Sequence, residues 1–328
     1  MSDFLRSLSR DQQVSLVFLL LFGLLALVTV AMALLSLRER REHGDDAAQA
    51  QRHQDNRNLL RVSWVMAAVF WIGWVLGRGP SIALFGLLSF FALREFISLS
   101  PTRRGDHRSL VLAFFAVLPA QYALVWQAQF NLFTVFVPVY VFIALPVVSA
   151  LRNDPQRFLE RSAKLQWGIM VCVYGLSHVP ALMLLQFPRW LGNNAFLVLF
   201  LVLVVQTCML VQHLAARGRR RPVAPAISSS FHWASWGWGL LAGGLLGALL
   251  AGLTPFKPLP ALAMALVACA AGSLGHLVMK AIKRDRGGTN WGGERRSITG
   301  AAGLLDRIDA LCFAAPVFFH SVRWTFGL

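Results

Sequence analysis

The sequence predicts an all-α bundle of about ten membrane-spanning helices, and three observations lead there. Of its 328 residues, 56% are hydrophobic and only 14% charged, whereas a soluble domain carries about 25% charged residues. Apolar runs of about 18–24 residues, each long enough to cross a hydrocarbon core, recur along most of the chain. The polar stretches between them are short and rich in Lys and Arg. This pattern excludes a soluble enzyme, a disordered chain, a coiled coil and a disulfide scaffold.

The expected spans are 14–37, 62–78, 80–97, 109–126, 130–151, 165–186, 194–214, 231–253, 259–279 and 310–328. The first is too long for a signal-peptide core and is followed by the basic cluster RERRE. Gly79-Pro80 separates the second from the third. The eighth opens on FHWASWGWG (231–239), an indole-rich stretch suited to the headgroup level. It continues as GWGLLAGGLLGALLAG (237–252), whose small residues suit close helix packing and make a homodimer an expectation. Charged residues close the ninth span, and DRID leads into the tenth.

The net charge is +16, from 31 Lys and Arg against 15 Asp and Glu. In a soluble protein this would point to nucleic acid; here no nucleic-acid partner is expected, because the cations sit between spans. Segments 38–61, 94–108, 152–164, 217–221 and 280–307 hold 25 of the 31. The positive-inside rule then puts these five connections in the cytoplasm and the N-terminus outside. The expectation is one integral membrane domain, 1–328, in a bacterial-type inner membrane. It has a cytoplasmic polar loop at 38–61 and a cytoplasmic loop with chemical potential at 280–309.

Within the spans, acids are rare. Glu95 is the one candidate, near an expected span end beside Arg94, so a proton-coupled carrier is poorly supported. Cys172, Cys208, Cys269 and Cys312 lie in apolar stretches and read as small core residues. His178, His213, His232 and His320 form no metal-ligand spacing and read as hydrogen-bonded core or interface groups. Asp306 and Asp309 are three apart, so on a helix they share a face. Oxygen ligands in this arrangement suit Mg²⁺ against phosphates; equally, acids at a helix start suit the helix dipole. Lys280, Lys283, Arg284 and Arg307 supply positive charge for phosphate groups.

These residues also carry a family likeness. Lys283-Arg284, a loop, then Ile298, Gly300, Gly303, Leu305, Asp306, Arg307, Ile308 and Asp309, followed by an apolar helix, resemble the C-terminal signature of phosphatidate cytidylyltransferases. Gly275, Leu277, Val278 and Met279 fit the approach to it, and ALREFISLSPTRRGDHR (92–108) and APAIS (224–228) are similar to other parts of the same family. The resemblance implies that CTP and phosphatidic acid, an anionic phospholipid, give CDP-diacylglycerol and pyrophosphate in phospholipid biosynthesis. Asp306 and Asp309 would be catalytic and, with Asn290, would hold Mg²⁺. Lys283, Arg284, Arg307 and Lys280 would bind substrate phosphates.

The chain departs from the family's pattern at polar positions. His276 stands where the family has Asp, Lys280 where it has Ser, and Met209 where it has another Asp. Thr289 and Asn290 replace a Lys-Asp pair, and Ala301 and Ala302 a His-Gly pair. Two functions follow. One is a divergent lipid nucleotidyltransferase. The other is a catalytically impaired paralogue that binds anionic lipid or supports a partner enzyme.

Overall fold

A computed structural model describes residues 77–99, 103–187, 194–216, 221–228, 231–287 and 303–328, together with Leu19, Gly23, Ala26, Thr29 and Val30. The chain divides into two compact units, 1–81 and 82–328. In the first, those five residues are helical, within the expected span 14–37. The expected span 62–78 and the polar loop 38–61 lie almost wholly outside the described residues.

From residue 77 onward the described chain is helical, without a strand. Its helices are α1 (Arg78–Ser98), α2 (Arg104–Trp126), α3 (Phe130–Ala150), α4 (Phe158–Leu182), α5 (Ala195–Ala216), α6 (Trp233–Leu253), α7 (Pro258–Asp285) and α8 (Leu305–Phe326). The first seven are long and apolar enough to cross a membrane, which makes this an integral membrane protein. The eight expected spans from 80 onward each correspond to one helix.

α2, α4, α7 and α8 each reach five or more residues past the expected span into charged sequence, and two of them show the physical reason. α4 begins seven residues before the expected 165, because Glu160, Arg161 and Lys164 join the helix. α8 begins at Leu305 rather than 310, so DRID is the first helical turn and not its approach. Charge lowers the hydropathy of both segments, yet here the charges pair. Arg161 sits between Asp106 at 3.0 Å and Asp154 at 2.7 Å, clamping the α2 start to the α3–α4 connection. Partial desolvation would raise the Asp154 carboxyl. The Arg161 hydrogen bond, the Gln156 N–H and the charges of Arg161 and Arg103 outweigh it and hold the pKa below the ordinary carboxylate range.

Prolines shape α2, α3 and α4. A proline has no N–H to give the carbonyl four residues back, and its ring crowds that turn. All three helices widen locally into a π turn, at Ala113–Val117, Phe136–Val141 and Met170–Gly175. The carbonyls so released need donors in a medium without water. Pro146 frees that of Phe142, which takes the Gln166 side-chain N–H at 2.8 Å. Pro138 frees that of Thr134, which takes the Tyr174 hydroxyl at 3.3 Å.

The tightest packing joins α5, α6 and α7, with α8 seated on α7 and α4. Gly239, Gly243 and Gly247 make one buried face of α6. A Cβ at Gly239 would lie 2.7 Å from the Cys208 carbonyl, at Gly243 2.5 Å from Cys269 Sγ, and at Gly247 it would collide with the Ala265 Cβ. Three of the small residues behind the expectation of a homodimer, Gly239, Gly243 and Gly247, thus make close contacts within the chain. The four cysteines are free and buried.

α8 is tied at its start from a distance. Glu95, on α1, accepts hydrogen bonds from the backbone N–H of Gly303 and, at 2.8 Å, of Leu305. It answers two of the amide groups that a helix start leaves without partners. Gly303 has a φ of +83°, a turn that a side chain would strain.

Four outcomes are expected. Gly247→Ala should cost about 1–3 kcal/mol by overpacking, read as a lower thermal midpoint in detergent. Gly237→Ala, where a Cβ meets nothing within 4 Å, should be neutral or slightly stabilising. Glu95→Ala should destabilise by about 1–3 kcal/mol and speed amide exchange at Leu305, with Glu95→Gln retaining part of the effect. Because the Asp154 pKa is depressed, its stabilisation is full above the ordinary carboxylate value of about 4 and is lost as pH falls below it. Asp154→Asn should therefore lower the melting temperature at neutral pH and lose its difference from wild type in acid.

Candidate functional site

α7 carries the basic side of the site. Ser273, His276, Lys280 and Lys283 follow one another at steps of three and four, so they share a face. Lys283 and Arg284 occupy the last turn, where the helix dipole favours cations. Small residues earlier in α7, Ala265, Ala268 and Gly272, are fully buried and let its neighbours approach. One of those neighbours is α8, running antiparallel, which carries the acids. Asp306 lies in its first turn and Asp309 one turn further, only 3% exposed.

The two helices meet through these side chains. His276 Nδ1 donates to Asp309 Oδ2 at 2.7 Å, and the other oxygen, Oδ1, accepts the backbone N–H of Ala310 at 2.6 Å. Lys283 forms an ion pair with Asp306. Removing one partner from a buried charged pair leaves the other uncompensated, at a cost of about 3–5 kcal/mol. These contacts therefore hold the site's shape as well as its charge.

Next to the pairs is a cavity of about 360 Å³, its open mouth included. Its polar lining comes from Gln212 and His213 on α5, Ser228 on the α5–α6 connection, and Ser273, His276 and Lys280 on α7. Met209, Phe231 and Leu277 supply an apolar wall. Ala224 and Ser228 close a tight turn that brings Ser228 Oγ to 3.5 Å from Lys280 Nζ. Trp236 donates its indole N–H to Ser273 Oγ at 2.8 Å, bracing α6 against the same face of α7.

Of the residues singled out from sequence, Asp306, Asp309, Lys283, Lys280 and His276 come together here, and Met209 lines the cavity. Arg284 and Arg307 are exposed and do not line it. Thr289, Asn290 and Ala301 lie outside the described residues. Two further residues escaped the sequence reading. Glu95 was weighed only as a carrier acid, although its two oxygens set the start of α8. Gln212, three residues after Met209 and so on the same helix face, was not noticed; it is 8% exposed, and its amide oxygen has no hydrogen-bond partner.

The donors among the described residues do not suit Mg²⁺. That ion demands several oxygen ligands in near-octahedral geometry. Both Asp309 oxygens already accept protein donors, Asp306 holds an ammonium group, and His276 brings a nitrogen into the middle of the set. Among the described residues no group of three or more His, Cys, Asp or Glu could hold a metal ion.

The model of the cytidylyltransferase family matches residues 58–325, a stretch that contains the cavity and both paired aspartates. The chain is also 33% identical over 254 residues to the uncharacterized protein YnbB of Escherichia coli strain K12. That alignment covers 75% of this chain and 80% of the relative. The likeness first carried by Lys283-Arg284 and the Asp306–Asp309 turn thus extends over most of the sequence. This integral membrane protein belongs to the cytidylyltransferase family, the family of the phosphatidate cytidylyltransferases.

Proposed function

We propose that this protein transfers a cytidylyl group from CTP to phosphatidic acid, giving CDP-diacylglycerol and pyrophosphate. A lipid phosphate oxygen attacks the α-phosphorus of CTP; the new P–O bond forms as the bond to the β-phosphate breaks, and pyrophosphate leaves. The observation that carries this reading is a cavity with an ammonium group on one side and an apolar wall on the other, set beside a charged helix pair. That lining fits a molecule with a phosphate at one end and a hydrocarbon root at the other. Lys280 would hold the lipid phosphate, and Lys283, Arg284 and Arg307 would face the triphosphate. The positive-inside rule would put the basic connections on the cytoplasmic side, where CTP is available.

One observation favours a second reading, in which the protein binds anionic lipid without turning it over. Asp306 and Asp309 are both engaged by protein cations or donors, as in a site kept for structure.

The two separate in one assay. Purified protein in nanodiscs containing phosphatidic acid is incubated with each labelled nucleoside triphosphate, with and without Mg²⁺. CDP-diacylglycerol from CTP alone is the expected product. Lys280→Met should lower kcat/KM by on the order of 10²–10³-fold, the usual loss on removing a group that stabilises developing charge. No product with any nucleotide, while an authentic synthase works in the same nanodiscs, would establish the binding reading instead.

A further inference from the structure

We infer that the cavity binds a lipid phosphomonoester through Lys280 without a divalent cation. The inference rests on the lipid-phosphate part of the reading above and deepens it. In a site of this kind an ion such as Mg²⁺ bridges protein carboxylates and substrate phosphate. Here both bridging positions are already filled by the chain itself. Lys283 sits on Asp306, and Asp309 uses one oxygen for His276 Nδ1 and the other for the Ala310 N–H. A metal would have to displace both α7 partners and then sit among the positive charges of Lys280 and Lys283.

Lys280 is the complementary half of the geometry. Its ammonium lines the cavity and donates a long hydrogen bond to the Ser228 hydroxyl at 3.5 Å; no described carboxylate lies within ion-pair distance. A half-buried ammonium beside a concave space calls for an anion, and a phosphate oxygen supplies both charge and hydrogen-bond acceptor. The unpartnered Gln212 amide oxygen, buried in the same lining, is an acceptor that a P–OH group satisfies. Met209, Phe231 and Leu277 favour a phosphate attached to a lipid over a free one. Met209, His276 and Lys280 all border this one cavity.

The test uses the full chain in detergent, with dioctanoyl phosphatidic acid as probe, titrated by calorimetry in EDTA and again in Mg²⁺. Dioctanoyl phosphatidylserine serves as the anionic control and inorganic pyrophosphate as the soluble phosphate. Phosphatidic acid should bind equally in both buffers, at least about tenfold tighter than phosphatidylserine. Lys280→Met should weaken it by about tenfold or more, the scale of one charge-assisted hydrogen bond, and Lys280→Arg should retain it. Unchanged thermal midpoints in both variants establish that they fold.

Three results would overturn the inference: binding that needs Mg²⁺, equal binding of phosphatidylserine, or Lys280-dependent binding of pyrophosphate that excludes the lipid. Replacing Mg²⁺ by Mn²⁺ gives a second readout, because a bound-ion paramagnetic signal lost in Asp306→Asn would also sink it. Turnover separates the two proposals. Product formation by a protein whose phosphatidic acid binding EDTA abolishes overturns this inference and leaves cytidylyl transfer standing. EDTA-resistant lipid binding without product does the reverse.

Discussion

A polar group inside a bilayer must find its partner within the protein, since hydrocarbon offers none and each orphan costs several kcal/mol. The same holds in a buried protein interior, and the start of α8, with Leu305 and Asp309 buried, concentrates that demand. Free amides, two carboxylates and a tight glycine turn fall within seven residues, Gly303 to Asp309. Each is answered from a different helix: Glu95 on α1 takes the Gly303 and Leu305 amides, Lys283 and His276 on α7 take the two acids. The position of α8, and with it the cavity wall, follows from that set of contacts.

The same rule operates along the other helices and explains features that look unrelated. Prolines in α3 release carbonyls, and α4 supplies Gln166 and Tyr174 to receive them. Glycines on α6 bring its backbone against α5 and α7, where van der Waals contact adds to the Trp236–Ser273 hydrogen bond. Close packing there brings α5 near enough to α7 for Met209 and Gln212 to share a cavity with Lys280. Packing and site are one arrangement.

How much of this could be read in the sequence depends on the range over which each signal acts. Span positions were legible because twenty apolar residues in a row are a local fact. The DRID turn and the basic end of α7 were legible as chemistry, since spacing on a helix fixes which side chains share a face. What those side chains do to one another was not legible. Asp309 lies 33 residues from His276, and Glu95 lies 210 residues from Leu305. No pattern along the chain announces such pairs. The early start of α4 was hidden for the opposite reason: Glu160, Arg161 and Lys164 look like loop residues until their partners are known.

The indoles of α6 set a vertical scale for the molecule. Trp233 and Trp238 face outward, 61% and 58% exposed, while Leu241, Leu245 and Leu249 continue the same helix as an exposed ridge. Indoles settle at the headgroup boundary. Phe231 and Ser228, just before them in the chain, border the cavity, so the anchoring belt and the site are joined by a few residues of chain. A bilayer whose hydrophobic thickness mismatches this helix shifts the plane of lipid phosphates relative to Lys280. On the proposed reading, acyl-chain length becomes a variable acting on the site without touching it, and membrane composition tunes how readily a headgroup reaches the Lys280 ammonium.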